Sequence, residues 1–251
     1  MKTRWGNAHP EVAGFMETKL WYLKRADLFR GLPEQSLRLL ADAGRMFNCH
    51  RQHRFYLADD PSDTVYLVKE GQVRLLRTNV DGRDIILDIL GPGEVFGELS
   101  LTGETHRSHA AEAVVDSLVC TFPRSLFEQV LNRTPELAFR VVKLVGFRLR
   151  RLERRLEDLA FRPLGERLRL ALVELGERHG LRDDRGHVHL RLTQKDLATL
   201  IGASREAVAE ELGRLKRAGL LETGYRTLVL LRPGQLSGNP AEQGPRAMSS
   251  G

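Results

Sequence analysis

In the stretch GASREAVAEEL, residues 202–212, an arginine and a glutamate, Arg205 and Glu206, stand directly after Ser204. Ser204 followed by Val208, Leu212 and Leu215 on one apolar stripe predicts a helix capped by the serine oxygen. Side chains in the first turn of such a helix can be offered to base edges in the major groove of DNA. Arg205 can donate two parallel hydrogen bonds to guanine O6 and N7, and Glu206 can accept from cytosine N4. The bland alternative for Glu206 is that acid at a helix start is stabilised by the helix dipole, whatever it faces.

These residues need elements to hold them. Thr193 opens a T-x-x-D capping pattern with Asp196, Leu197, Leu200 and Ile201 form an apolar face, and Gly202 permits a tight turn into the second helix, which Gly219 ends. Two helices joined by a glycine turn are a helix-turn-helix, and GHVHLRL before it and LLETGYRTLVLLRP after it supply the strand and hairpin of a winged variety. Gln194, Lys195, Ser204 and the wing residue Arg226 are then placed to meet phosphates. Residues 162–235 carry 14 Lys/Arg against 10 Asp/Glu, so this unit holds +4 of the chain's net +6. This charge favours an anionic partner without choosing between nucleic acid, membrane and small phosphates; together with Arg205 and Glu206 at the helix start it favours double-stranded DNA.

Upstream the texture changes. Residues 23–134 read as a run of short strands: TVYLVKEGQVRLLRTN as two around a Glu70-Gly71 turn, LLRTNVDGRDIILDIL as two around Asp81-Gly82, then EVFGEL, HAAEAVVD and SLVCTFP. Strands this close together predict a small barrel or sandwich. Over 135–161, Ala138, Val142, Val145, Leu149, Leu152, Leu156 and Leu159 recur at spacings of 4 and 3, a heptad seam suited to a partner helix, the alternative being one long helix packed on its own β domain. Pro163 stops that helix. Residues 1–22 read as a loosely held extension, and 236–251 as a disordered polar tail.

Composition excludes several classes. The chain has 251 residues, 41% hydrophobic and 29% charged, which fits a soluble globular protein. It has no apolar leader and no span of membrane length, so no membrane partner and a cytoplasmic location are expected. Cys49 and Cys120 have no metal-binding spacing and read as buried strand residues. His50, His53, His106, His109, His187 and His189 lack a carboxylate–histidine pattern on one helix, so neither metal nor haem is expected. GPGEVFG is not a dinucleotide fingerprint, and no nucleophile triad, P-loop or metal-hydrolase pattern marks an enzyme.

GASREAVAEELGRL is similar to the recognition segment of the bacterial cyclic-AMP receptor protein/fumarate–nitrate regulator (CRP/FNR) family. The order of parts over 27–232 resembles that family too: β-roll, long dimer helix, winged helix-turn-helix. The resemblance implies an α+β fold and a homodimeric transcription regulator on a two-fold-related DNA site. It implies the base-reading roles of Arg205 and Glu206, and RNA polymerase as a partner through the exposed 181–189 loop. Where the cyclic-AMP-receptor type has a second base-reading arginine, this chain has Glu210. A carboxylate cannot donate to guanine, so the inner guanine of the half-site is predicted to be relaxed or replaced by cytosine.

VFGELSLTGETHRSHA, residues 95–110, resembles the family's phosphate-binding cassette. In that resemblance Gly97 lets the backbone approach the ligand, Glu98 accepts from a ribose 2′-hydroxyl, and Arg107 and Ser108 hold a cyclic phosphate, making cyclic AMP the candidate effector. Two departures oppose it: His109 replaces a small residue, and Leu152 and Glu153 stand where the cyclic-AMP receptor has hydroxyls facing adenine. The iron–sulfur type needs an N-terminal cysteine cluster, which this sequence lacks. The rival reading is a cyclic-nucleotide-sensing module that regulates a protein partner through its C-terminal winged helix.

Overall fold

In the computed structural model, which describes residues 19–24 and 26–236, the chain divides into two compact units. The first comprises the chain up to residue 77 together with 87–151, and the second comprises 78–86 and 152 onward. The tail from 237, expected to be disordered, and residues 1–18 lie outside the described residues.

Eight strands build the first roll: β1 Arg45–Cys49, β2 Arg54–Tyr56, β3 Thr64–Glu70, β4 Val73–Thr78, β5 Asp84–Leu90, β6 Val95–Phe96, β7 Ala110–Ala113 and β8 Ser117–Pro123. They form two four-stranded sheets, β1-β8-β3-β6 and β2-β7-β4-β5. Side chains from both sheets, among them Val68, Val73, Leu75, Leu90, Phe96, Ala111 and Val119, meet in one buried interior. Strand alternation makes a second core possible. Along β3, Val65 and Leu67 point to the opposite face from Val68 and pack with Phe29, Leu37, Leu40, Phe122, Phe127 and Val130, under helices α1 Glu34–Ala43 and α2 Arg124–Arg133.

Three sequence expectations change here. The Glu70-Gly71 turn does not close a hairpin: β3 and β4 lie in different sheets, and Gly71 (φ +89°) is the corner between them. EVFGEL is a strand only at Val95–Phe96, because Gly97 turns left-handed (φ +74°) and starts a 3₁₀ helix, Glu98–Thr102. The loosely held extension does not reach residue 22. Residues 19–24 are helical, Leu23 is buried, and the Tyr22 hydroxyl donates to the carbonyls of Val68 (3.0 Å) and Lys69 (2.8 Å).

Helix α3, Pro135–Phe161, buries only Leu137 and Val141 fully. Val142, Leu149, Leu152, Leu156 and Leu159, five of the seven seam positions, are exposed at 67, 56, 43, 69 and 43%. In the second unit α4 Leu164–His179, α5 Gln194–Ile201, α6 Arg205–Arg217 and the short α7 Pro233–Leu236 accompany a sheet of order β11-β12-β10-β9. Its strands are β9 Leu181–Arg182, β10 Val188–Leu190, β11 Leu221–Gly224 and β12 Thr227–Leu230. Leu168, Leu172, Val188, Leu197, Val208, Leu212, Leu228 and Leu230 are buried there, and so is Leu236, the residue with which the expected tail begins. Among the described residues no helix is long and apolar enough to cross a membrane.

Candidate nucleic-acid interface and phosphate cassette

Both helices of the helix-turn-helix start on side-chain caps. The Asp196 amide donates to Thr193 Oγ1 (3.1 Å), and Asp196 Oδ2 accepts from the Thr193 amide (2.9 Å), a reciprocal capping box. Gly202 turns at φ +65°, and Ser204 Oγ accepts the Ala207 amide at 3.1 Å to open α6. The far end closes on Gly219 (φ +67°), with the amides of Leu220 and Gly219 donating to the carbonyls of Leu215 and Lys216, both at 3.0 Å. Val208, Leu212 and Leu215 face inward, so the opposite face of α6 looks to solvent.

That geometry places the expected residues in three groups. Gln194 and Lys195 lie in the first turn of α5, the first half-buried and the second exposed. Ser204, Arg205 and Glu206 are exposed at the start of α6, where Arg205 and Glu206 make no ion pair among the described residues. Arg226 forms the wing tip in a left-handed conformation (φ +58°), 5.9 Å from the ring of Tyr225, which is 90% exposed. Glu210 stands apart from these groups. Its Oε1 accepts from Arg214 Nη2 at 2.7 Å, and Arg214 Nη1 donates to Glu211 Oε1 at the same distance.

In the roll the structure brings Gly97, Glu98 and Arg107 together and leaves Ser108 at the surface. The Arg107 side chain is buried: Nη1 donates to the Gly97 carbonyl (3.1 Å) and Nη2 to the Thr64 carbonyl (2.5 Å), with the guanidinium 4.3 Å above the Tyr56 ring. Only Nε lacks an acceptor. A Cβ on Gly97 would come within 2.8 Å of Arg107 Nη1 and of the Thr64 carbonyl, so the glycine is required by this contact. Glu98 is paired with Arg148 of α3, whose Nη2 also donates to the Val95 carbonyl. Burial opposes the Arg148 charge, but Glu98, Asp88 and Glu94 outweigh it and raise its pKa. Ser108 Oγ, His109 and Tyr56 form a chain, with Oγ to Nδ1 at 3.1 Å and Nε2 to the Tyr56 hydroxyl at 3.3 Å. Burial pushes the His109 pKa down and the Tyr56 pKa up, so both are neutral near pH 7. Arg107 and Glu98, which a cyclic phosphate and its ribose would need, are thus engaged by the protein itself, with Arg107 Nε left without an acceptor among the described residues.

A cyclic nucleotide-binding domain model matches residues 48–134, and a Crp-like helix-turn-helix model matches 166–238. The cyclic AMP receptor protein of Thermus thermophilus is 34% identical over 207 residues, 82% of this chain and 93% of that protein. The chain belongs to the CRP/FNR family. This CRP/FNR regulator is also 28% identical over 209 residues (83% and 93% of the two chains) to the CRP-like cAMP-activated global transcriptional regulator of Mycobacterium tuberculosis. The structure of FixK2 from Bradyrhizobium japonicum superposes with a TM-score of 0.70 at 28% identity, covering 77% of this chain and 95% of that one. The protein is a DNA-binding transcription regulator of the CRP/FNR type with the α+β architecture expected.

Sequence reasoning missed Arg148, Tyr56 and Arg214, each of which engages a named residue. Arg148 did leave a signal. Leu137, Val141, Leu144, Arg148, Arg151 and Arg155 repeat the seam's own 4-3 spacing on a second stripe, and arginines continuing an apolar stripe require buried acids. Asp88, which accepts from Arg151 at 2.6 Å, is another. Tyr56 left none.

Proposed function

We propose that this regulator binds a two-fold-related DNA site as a homodimer and does so without needing cyclic AMP. The observation that supports the DNA reading best is the Ser204-capped first turn of α6, which leaves Arg205 and Glu206 exposed and without side-chain partners among the described residues. Two copies joined along the α3 seam would offer their recognition helices to half-sites roughly 34 Å apart, one helical turn. Arg205 reads guanine, Glu206 and Glu210 accept from cytosine, and Gln194, Lys195, Ser204 and Arg226 meet phosphates. The protein acts in the cytoplasm and catalyses no reaction. RNA polymerase meets the β9–β10 turn. There Asp183 accepts from the His187 amide (2.9 Å) and from His189 Nε2 (3.1 Å), and the His189 bond leads in holding its carboxyl pKa at about 2.

Independence from cyclic AMP is supported by Arg107 and Glu98 being occupied within the roll, and by Leu152 lying on the seam. The competing reading, cyclic-AMP control, draws on the retained Gly97, Glu98, Arg107 and Ser108 and on relatives whose names carry that ligand. Selection of bound duplexes from a random pool, with and without cyclic AMP, decides between them. We expect the same palindrome in both arms, and Arg205→Ala should lower affinity for it by roughly 30- to 25,000-fold, the loss of one bidentate pair of about 1–3 kcal/mol at each of the two half-sites. Binding seen only with cyclic AMP would overturn the ligand-independent reading. Indifference to Arg205→Ala would overturn the reading role of that arginine.

A further inference from the structure

The outward face of α6 is formed by Glu206, Glu210, Gly213, Arg214 and Arg217, opposite the buried Val208, Leu212 and Leu215. A carboxylate near the middle of a surface that meets polyphosphate is electrostatically misplaced unless something offsets its charge. Here something does. Arg214 lies between two acids, Nη2 on Glu210 Oε1 and Nη1 on Glu211 Oε1, each at 2.7 Å. Glu211 is itself anchored. Its side chain is only 20% exposed, and its carboxylate lies over the first turn of α4, where a Cβ on Gly165 would come within 3.0 Å of Oε2. The amino-terminal end of α4 favours a negative charge there. The series Gly165, Glu211, Arg214, Glu210 therefore fixes one carboxylate on the outward face, and Glu210 Oε2 has no partner among the described residues.

We propose that Arg214 is a positioning residue that makes Glu210 a reader of cytosine. This deepens, and rests on, the DNA-binding reading above. Arg214 offsets part of the negative charge that would repel phosphate, one guanidinium against the carboxylates of Glu210 and Glu211, and locks Oε1, leaving Oε2 to accept from an N4 amino group. Cytosine presents that donor in the major groove, whereas guanine presents only acceptors at O6 and N7 and is rejected. Arg214 contributes without touching the base.

The test is selection of bound duplexes by the full-length protein and three variants: Arg214→Ala, Arg214→Lys and Glu210→Gln. Wild type should prefer cytosine over guanine by about tenfold at the base pair facing Glu210. Arg214→Ala should flatten this to about twofold or less while the guanine set by Arg205 persists, which also shows that the variant is folded. Arg214→Lys, retaining the charge, should recover part of the preference, and Glu210→Gln should move it to adenine, whose N6 and N7 match an amide. The proposal is overturned if Arg214→Ala keeps the cytosine and only weakens binding to all duplexes, with the salt slope reduced by about one; Arg214 would then be a phosphate contact. A wild-type protein that selects no sequence at all would remove the DNA reading and this proposal together, an outcome distinct from losing the cytosine alone.

Discussion

Single residues carry opposite obligations in the two units. On α6 the charges at the first turn, Arg205 and Glu206, are exposed and unpaired among the described residues, whereas in the roll Glu98 and Arg148 are buried and matched. Glu98 and Arg148 have side chains only 6% and 11% exposed, so neither can be rehydrated if the other is neutralised. Removing one partner of a buried pair costs about 3–5 kcal/mol, while replacing both by apolar groups of similar volume is often nearly neutral. Glu98→Gln should therefore destabilise the protein by about 3 kcal/mol, because Arg148 would be left facing Asp88, which Arg151 already engages. The double variant Glu98→Leu/Arg148→Met should recover much of that loss. Urea unfolding measures both, and two equally damaging substitutions with no recovery in the double would show that the pair does not act as a unit.

At the scale of elements, what the sequence revealed follows from how local each signal is. The α5–α6 motif was legible almost to the residue, because the capping and turn hydrogen bonds at Thr193, Gly202, Ser204 and Gly219 are made to groups within five positions of themselves. The roll was legible as strands but not as sheets, because whether β3 pairs with β4 or crosses to another sheet depends on contacts far along the chain. Gly71 shows the difference. Its neighbours in sequence suggest an ordinary turn, yet the group that requires a glycine there is Ser117, whose Oγ would be 2.1 Å from a Cβ at 71 and which bonds the Gln72 amide at 3.2 Å. Gly82, at the tip of the β4–β5 connection, shares the positive φ but has nothing near its Cβ position. Gly71→Ala should thus cost at least about 2 kcal/mol, the left-handed penalty plus a displaced buried hydroxyl, and Gly82→Ala only about 1 kcal/mol. Equal losses in denaturant unfolding would mean that the corner is no tighter than a free turn. The cassette was legible as a pattern of Gly97, Glu98 and Arg107 but not as an occupied one, since the carbonyl of Thr64 and the ring of Tyr56 are set against Arg107 only by the fold.

For the whole molecule the decisive surface is α3. Leu137 and Val141 satisfy the roll, and on another face the seam stays exposed at Val142, Leu149, Leu152, Leu156 and Leu159, a row of large aliphatics that a solitary chain would have no reason to keep in water. A second copy is the occupant whose own stripe matches this spacing, and two-fold symmetry makes each seam residue count twice. Leu156, the most exposed of the row at 69%, is a direct test. Leu156→Glu places two carboxylates against each other at the interface and forfeits about 1.5–3 kcal/mol of apolar burial from each copy. Sedimentation at micromolar concentration should then show a monomer. Unfolding by denaturant, repeated over a range of protein concentrations, should lose its concentration dependence, with no loss of intrachain packing at an exposed position. DNA supplies the second readout. A dimer on a palindrome binds its second half-site at the high local concentration fixed by the first, so the monomer should bind the full site at least about 100-fold more weakly. Its affinity for an isolated half-site should be unchanged. The slope of log affinity against log salt should fall to about half, because half the phosphates are neutralised per binding event. Should Leu156→Glu remain dimeric, or bind the palindrome with wild-type affinity and salt slope, the seam is not what pairs the two recognition helices, and the two-fold arrangement proposed for DNA would have to be built from another surface.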